Sequence, residues 1–199
     1  MKSFCDTGTE QNDELVPFPA NRIKDRFLDL SNKDAPFGEL GEYEILRYIG
    51  RGHWCQVYQA KKKTDGSMWA LKFLDPTEVA QRQTAERGLS LEEVLRKYSL
   101  NGLNKGFDNL AHNTLERVNG LTFIAEEYID RFLSSKLDHI DSKEETLKIA
   151  SGIAAGLAKL HSVAGRAHAD LKPDNIGYVN CVIKISDFVS VIIDKSQYA

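Results

Sequence analysis

The 199-residue sequence predicts an α+β fold of two lobes, in which a mostly antiparallel β half precedes a mostly helical half. Between Glu42 and Phe73, runs of β-forming residues are joined by connections too short for parallel crossovers. Behind Ser142, apolar residues recur at helical spacing. Because two layers of different type imply a cleft between them, we expect a ligand site in that cleft.

The composition is that of a soluble globular protein, with 42% hydrophobic and 28% charged residues. The net charge is −3, and no apolar run approaches the ~20 residues of a membrane-spanning helix, so we expect neither a nucleic-acid nor a membrane partner. The first residues lack the apolar core of a secretory signal. Three widely spaced cysteines argue against a disulfide framework, and we predict a reducing, cytoplasmic location.

Residues 1–41 are predicted to form an N-terminal extension, because polar residues and prolines dominate the segment. One short helical pattern interrupts it, in which Ile23, Phe27 and Leu30 share a face. We expect this helix to pack on the main body of the protein. The alternative is a docking helix for a partner.

The following part of the chain has the turn residues and strand composition of a β-meander. Asp65-Gly66 marks one turn, and Asn119-Gly120 is a favoured hairpin turn. Residues 77–105 between these turns favour a helix, which Gly88 interrupts. The predicted strands are 44–49, 56–60, 68–73, 115–118 and 121–129.

The helical half begins with a capping-box signature at Ser142 and Glu145. The predicted helix ends near His161, and Gly165 supplies a stop. One broad apolar face is predicted from Leu147, Ala150, Ile153, Ala154, Leu157 and Leu160. Behind the helix follow a loop at 168–175 and two hairpin-like strands, 176–179 and 182–185, around Asn180.

Two features of the β half indicate a phosphate site. Gly50 and Gly52 alternate in a turn between strands, where glycine lets backbone N–H groups approach an anion. A plain Gly-rich turn is the alternative. Lys72 lies in an apolar strand 22 residues after Gly50, and a buried ammonium needs an anionic partner. The alternative is a lysine on an edge strand that points to solvent.

The loop 168–175 is the most specific signal in the chain. Asp170 can lie near an attacking hydroxyl, Lys172 can neutralise a transferring phosphate, and the amide oxygen of Asn175 can bind a metal. Asp187, 17 residues after Asp170 at the end of an apolar strand, is placed to bind a divalent cation. The alternatives are a polar surface loop and an ordinary aspartate at a strand end.

In order and spacing, these four features resemble the protein kinase family from about Tyr43 to Phe188. The resemblance implies a kinase-like N-lobe at 42–129 and a partial C-lobe at 130–199 that ends in the activation segment. Lys172 favours the Ser/Thr type over small-molecule kinases. The implied function is ATP- and Mg²⁺-dependent phosphoryl transfer to Ser/Thr hydroxyls of a protein substrate.

The resemblance also implies a role for each residue of the site. A glutamate from the helix after Lys72 would brace that lysine, and we favour Glu93 over Glu92 and Glu86. The segment Glu126-Glu127-Tyr128 resembles the hinge that binds adenine through its backbone. The residues expected to bind ATP are Gly50, Gly52, Val57, Ala70, Lys72 and Glu127. At the transferred phosphate we expect Asn175 and Asp187 to hold Mg²⁺, Asp170 to accept or orient the substrate hydroxyl, and Lys172 to steady the γ-phosphate.

Three residues depart from the family's pattern. Cys55 replaces the third loop glycine and places a thiol near the nucleotide. Ala169 replaces an arginine that normally pairs with a phosphorylated activation loop, so we expect activity that does not depend on such phosphorylation. Val189 follows Asp187-Phe188 in place of glycine, and a β-branched residue resists positive φ, which favours a weak or inactive enzyme.

Only twelve residues follow Asp187, so the later helices of the family have no counterpart here. The chain is then a fragment, a minimal kinase, or a protein whose C-lobe a protein partner completes. Without such cover we expect the helix behind Ser142 to expose apolar area. The alternative function is a pseudokinase that binds nucleotide or a partner without turnover. A small-molecule phosphotransferase is the third reading.

Overall fold

The computed structural model describes residues 38–51, 55–74, 106–118, 121–137, 140–163, 165–188 and 191–192. The chain divides into two compact units, of which one comprises 9–95 and 115–128 and the other 1–8, 96–114 and 129–199. The predicted domain boundaries stay a prediction. Several predicted features lie outside the described residues: the helix in the extension, the helix at 77–105, the turn Asn119-Gly120, Gly52, Glu86, Glu92, Glu93 and Val189.

The first unit contains a six-stranded sheet with the strand order β1-β2-β3-β4-β6-β5. Strands β1 to β4 follow one another in space as they do in sequence, and each pairs antiparallel with the next. The predicted meander is therefore confirmed, and β6 adds to β4 as a further antiparallel neighbour. The strands are Glu39–Leu40 (β1), Tyr43–Arg51 (β2), Cys55–Lys62 (β3), Met68–Leu74 (β4), Asn113–Val118 (β5) and Leu121–Glu127 (β6).

One face of this sheet carries an aromatic core. Strand β3 alternates buried and half-buried residues, as a strand with one covered face should. Tyr58 donates its hydroxyl hydrogen to Gln56 Oε1 at 2.8 Å, which satisfies a buried polar pair. The buried residues of this core are Leu40, Tyr43, Ile45, Tyr58, Ala60, Leu71, Phe73, Phe123 and Ala125.

The second unit is built around one long helix and short strands. Helix α1 spans Lys143–Ser162, and its first turn is capped by Ser142, whose Oγ accepts from the Glu145 backbone N–H at 3.0 Å. The predicted cap is therefore confirmed, and the predicted end near His161 is correct to one residue. Two strand groups accompany the helix, with the orders β10-β9-β7 and β11-β8. Their strands are Arg131–Phe132 (β7), Arg166–Ala167 (β8), Ile176–Val179 (β9), Val182–Ile185 (β10) and Val191–Ile192 (β11).

The predicted hairpin after the loop at 168–175 is confirmed by the pairing of β9 with β10. Its turn residues, Asn180 and Cys181, have φ angles of 48° and 65°. Two consecutive positive φ values are what a type I′ hairpin turn requires, and asparagine tolerates this conformation well. Strand β7 joins this hairpin at β9, an addition that the sequence did not predict.

The buried face of α1 agrees with the predicted one only in part: Leu160 is buried and Ile153 and Leu157 pack against the core, as predicted. Ile149, Gly156 and Leu160 are buried, whereas Leu147 is 60% exposed. Ala150 and Ala154 of the predicted face are exposed as well. The buried face is thus shifted away from Leu147 and toward Ile149 and Gly156. A Cβ at Gly156 would lie 2.7 Å from the Asn109 carbonyl oxygen and 2.9 Å from Ile185 Cδ1, so glycine allows this close approach.

Two further observations concern membrane-spanning helices and the cysteines. Among the described residues, no helix combines the length and the apolar character needed to cross a bilayer. Cys181 is disulfide-bonded, which is contrary to the expectation from the cysteine count. An odd count of three cysteines argues against a disulfide framework but still allows one pair. The partner of Cys181 lies outside the described residues. Cys55 is half-buried and carries a reduced thiol.

Candidate active site

The loop between β8 and β9 gathers the polar residues of the second unit. It begins with Ala169 at a φ of 64°, an unusual conformation for a residue with a side chain. It ends in a 3₁₀ turn, Pro173–Asn175, in which the Asn175 N–H donates to the Lys172 carbonyl oxygen at 2.9 Å. Pro173 suits the first position of this turn because its φ is fixed and no N–H is needed there. The backbone thus folds the loop back on itself.

Three predicted catalytic-loop residues meet at the carboxylate of Asp170. Lys172 Nζ lies 2.7 Å from Asp170 Oδ2. Asn175 Nδ2 donates to the same oxygen at 3.2 Å and to the Asp170 carbonyl oxygen at 2.8 Å. The hydrogen bond from Lys172 holds the pKa of the Asp170 carboxyl below its usual value, against an opposing effect of desolvation, and the hydrogen bond from Asn175 lowers it further. Asp170 is therefore ionised at neutral pH.

The same contact acts on the lysine. The hydrogen bond to Asp170 raises the pKa of Lys172, and the charge of Asp187 adds to this effect. Lys172 therefore stays protonated, with the carboxylates of Asp170, Asp187 and Asp174 in its surroundings. The side chains of Lys172 and Asp170 are 47% and 40% exposed, so this pair is open to solvent and to a substrate.

His168 connects this loop to the segment that directly follows β10. The imidazole is buried, and its Nε2 lies 2.8 Å from the Ser186 carbonyl oxygen. Its Nδ1 accepts from the Asp170 backbone N–H at 3.3 Å, which fits a neutral ring protonated at Nε2. The ring centroid is 5.6 Å from that of Phe188. No role was predicted for His168, although its place two residues before Asp170 is a signal in the sequence.

Ser186 brings Asp187 to the same region. The Ser186 N–H donates to the Asn175 carbonyl oxygen at 2.9 Å, and its hydroxyl donates to the same oxygen at 3.3 Å. Asp187 follows directly, exposed and with a φ of 58°. The structure thus brings Asp170, Lys172 and Asn175 together, and the charge of Asp187 acts on Lys172; the roles assigned to these residues stay predictions.

The donor set of this neighbourhood suits a hard cation. Because the amide nitrogen of Asn175 donates to Asp170, its Oδ1 is the atom left to face a metal. Carboxylate and amide oxygens are ligands that Mg²⁺ prefers. Within the described part of the chain, no group of three or more His, Cys, Asp or Glu side chains could hold a metal. A cation at Asn175 and Asp187 therefore needs additional oxygens, such as those of water or a phosphate.

In the first unit, four of the predicted ATP-binding residues (Gly50, Val57, Ala70 and Lys72) share the sheet face opposite the aromatic core, whereas Glu127 is paired with Trp69 on the core face. Gly50 is opposite Val57, and Val57 is opposite Lys72 in the strand register, so these three residues share one face. Ala70, two residues before Lys72, lies on the same face. An ideal Cβ at Gly50 would meet no atom within 4 Å, which leaves its backbone approachable from that side.

Lys72 makes a buried ion pair on this face. Its Nζ lies 2.6 Å from Glu126 Oε1, and the two side chains are only 14% and 5% exposed. Strand β4 lies between β3 and β6, so the reading of Lys72 as a solvent-facing lysine on an edge strand is wrong. The sequence correctly required an anionic partner but did not find Glu126. Glu93, the partner that the resemblance favours, lies outside the described residues.

The predicted hinge follows β6 directly. Glu127 is the last residue of that strand, is half-buried and is paired with Trp69. The Tyr128 N–H donates to the Met68 carbonyl oxygen at 3.2 Å, and the Tyr128 hydroxyl accepts from Arg47 at 3.4 Å. The segment is thus fixed at the end of the sheet by neighbours on β2 and β4.

Three comparisons with known proteins agree on a family. A model of the protein kinase domain matches residues 43–197. The chain is 32% identical to a Wee1-like protein kinase of Arabidopsis thaliana over 90% of its own length. It is 27% identical to the serine/threonine-protein kinase Sgk3 of Rattus norvegicus over 86% of its length. It spans only 36% and 34% of these two relatives, about a third of each.

Among solved structures, the kinase domain of PknI from Mycobacterium tuberculosis is similar, with a TM-score of 0.56 at 20% identity. The match covers 76% of this chain and 60% of that one, and it supports the predicted α+β kinase-like fold. The matched family model covers most of the chain, including both groups of polar residues described above. The chain belongs to the protein kinase family.

Proposed function

We propose that this protein transfers the γ-phosphoryl group of ATP to Ser/Thr hydroxyls of a protein substrate, with Mg²⁺ as the metal. The observation that carries the proposal is the cluster of Asp170, Lys172 and Asn175, with Asp187 beside it. Phosphoryl transfer needs little covalent chemistry from a protein and depends on positioning and charge stabilisation. An ionised carboxylate, a protonated lysine and two oxygen ligands supply these.

Asp170 acts on the substrate hydroxyl. Because its pKa is held low, the carboxylate is a weak base that orients the hydroxyl and accepts its proton late in the transfer. Its Oδ2 is held by Lys172 and Asn175, which fixes the direction in which the carboxylate faces. Removing such a group typically costs about 10²–10⁴ in rate.

Lys172 steadies the γ-phosphate. Its raised pKa keeps the ammonium charged across the physiological range, and its exposure lets it turn toward an incoming phosphate. Ammonium groups carry three donors, so Lys172 can hold Asp170 and a phosphate oxygen together. This would place the substrate hydroxyl, held by Asp170, next to the γ-phosphate, held by Lys172.

Asn175 and Asp187 would hold Mg²⁺. The ion would supply neutralisation of the negative charge on the phosphates. Asn175 is positioned for this through its own amide nitrogen and through its carbonyl oxygen, which accepts both Ser186 hydrogen bonds. On the β sheet, Gly50, Gly52, Val57, Ala70 and Glu127 would contact ATP, and Lys72 would bind the α/β-phosphates.

The test is phosphate transfer from radiolabelled Mg-ATP to a Ser/Thr peptide library by the wild-type chain. Asp170→Asn and Asp187→Asn remove the two carboxylates and should each abolish most labelling. Equal labelling by the wild type and both variants would contradict the proposal. Phosphorylation of a sugar or an aminoglycoside without any peptide labelling would favour a small-molecule phosphotransferase.

A second candidate is a pseudokinase that binds nucleotide or a protein partner without turnover. Valine at position 189, where the family's pattern has glycine after Asp187-Phe188, favours it. A thermal shift with ATP in the absence of any labelling would identify this function.

A further inference from the structure

We propose that Glu126 is a positioning residue for Lys72, a carboxylate on the neighbouring strand that fixes the lysine ammonium where it meets nucleotide phosphates. The inference rests on the proposed function for the identity of the ligand. It goes beyond that function by assigning a role to a residue of the sheet itself. The observation is the 2.6 Å contact between Lys72 Nζ and Glu126 Oε1.

The strand register produces the contact. In the antiparallel pair of β4 and β6, Ala70 is opposite Glu126 and Lys72 is opposite Ile124. Lys72 and Glu126 are therefore diagonal neighbours on one face, a spacing that long side chains bridge. The hydrogen-bonded ladder of β4 and β6 fixes the separation of the Lys72 and Glu126 backbones, so the two side chains start from rigid positions.

The surroundings of the pair make the contact strong. Ala70 and Ile124, the other two residues of this square, are buried at 8% and 4% exposure. Water is thus largely excluded from both charged groups. The loss of either partner would therefore cost more free energy here than in an exposed pair. Burying an acid here without the lysine, or the lysine without an acid, would be costly.

The contact also bears on how the ammonium meets a ligand. An ammonium carries three donors, so one carboxylate contact does not by itself exclude a phosphate oxygen. The carboxylate holds the four-carbon stem in one direction and stabilises the charged form of the amine. Both effects prepare Lys72 for an anion and remove part of the entropy cost of fixing a flexible side chain.

The first experiment measures Lys72 itself and needs neither ATP nor turnover. An amine-reactive ester is added at pH 8, and the labelling rate of Lys72 is followed by peptide mass spectrometry. In Glu126→Gln, the charged amine loses its stabilising carboxylate, so we expect labelling about tenfold faster. Glu126→Asp keeps the charge and should stay close to the wild type.

The matched control is Glu44→Gln, which removes the same charge from an exposed position of β2. It should leave the labelling rate of Lys72 unchanged. Circular dichroism and thermal unfolding of each variant establish that it is folded at the assay temperature. Identical labelling rates in the wild type and a folded Glu126→Gln variant would overturn the inference.

The second experiment measures Mg-ATP affinity by calorimetry in two backgrounds. Glu126→Gln should weaken binding about tenfold in the wild-type chain and should have no effect when Lys72 is already methionine. Equal losses in both backgrounds, or tighter binding in Glu126→Gln, would overturn the positioning role. If the wild type binds no ATP, the proposed function fails, while the labelling experiment still decides the link between Glu126 and Lys72.

Discussion

Two lysine–carboxylate pairs, one in each unit, have nearly the same length and opposite environments. Lys72–Glu126 spans 2.6 Å with side chains 14% and 5% exposed, and Lys172–Asp170 spans 2.7 Å with side chains 47% and 40% exposed. The first pair is held by a strand register, and the second by a loop. The difference shows that the contact distance alone does not define the role of an ion pair. The exposure of the pair decides how strongly solvent screens the two charges and how easily water or a ligand replaces one partner.

The largest expected effect comes from the exposed pair and concerns catalysis. Asp170→Asn should lower the phosphoryl-transfer rate about 10²–10⁴-fold while the thermal midpoint stays close to that of the wild type. The substitution keeps the shape of the side chain, and the site is open to water, so little stability is lost. Steady-state kinetics and thermal unfolding measure the two quantities.

The matched control for Asp170 is Asp174→Asn, an exposed acid in the same loop with no assigned role. It should keep wild-type activity. A large loss of stability in Asp170→Asn would show that the exposed pair is structural, and the contrast between the pairs would then disappear.

The buried pair should dominate stability instead. Lys72→Met leaves the Glu126 carboxylate in a nearly dry site, and breaking a buried pair in this way typically costs about 3–5 kcal/mol. Lys172→Met removes an exposed partner and should lower the urea midpoint far less. Urea unfolding of both variants tests this order of stability losses. A larger shift of the urea midpoint in Lys172→Met than in Lys72→Met would contradict it.

Salt should separate the pairs further. Double-mutant cycles for each pair, measured at about 0.05 M and about 1 M KCl, should show the coupling of Asp170 with Lys172 fading as the salt screens it. The coupling of Lys72 with Glu126 should change little, because bulk ions do not enter a buried contact. Equal salt sensitivity in both cycles would argue that water reaches Lys72 as freely as it reaches Lys172.

The smallest expected effect is a shift in one titration. The pKa of Asp170 is lowered mainly by the Lys172 hydrogen bond, so in the wild type this carboxyl should titrate below its ordinary 3.8. A lowered folded-state pKa stabilises the fold above the ordinary value, and that stabilisation is lost as the pH falls through the folded value. Carbon-detected NMR of Asp170 should show the midpoint moving upward in Lys172→Met.

Lys143→Met removes the same charge from an exposed position at the start of α1 and serves as the control for this titration. The Asp170 midpoint should not move in this variant. An identical midpoint in the wild type and in Lys172→Met would mean that another group lowers the pKa of Asp170.

The parts of the site that the sequence predicted well are local. Asp170, Lys172 and Asn175 lie within six residues of one another, so a tight loop brings them together whatever the rest of the fold does. The turn at Asn180 was equally accessible, because asparagine tolerates positive φ. Spacing along the chain was enough in both cases.

The parts that were missed depend on register and rotation. Glu126 is 54 residues from Lys72 along the chain, and only the alignment of β4 with β6 makes them neighbours. On α1, apolar spacing predicted a face that includes Leu147, but Gly156 determines which side can approach Ile185. Apolar periodicity gives glycine no weight, whereas the close approach of α1 to Asn109 and Ile185 depends on Gly156.

The two hydrogen bonds from Ser186 to the Asn175 carbonyl oxygen, together with the contact between His168 and the Ser186 carbonyl, join two stretches of chain that are far apart in sequence. A displacement of the backbone at Ser186 would pull on Asn175 and on the imidazole at once. Any binding event that moves this point would therefore shift Asn175 and, through the His168 ring, the backbone of Asp170 at the same time.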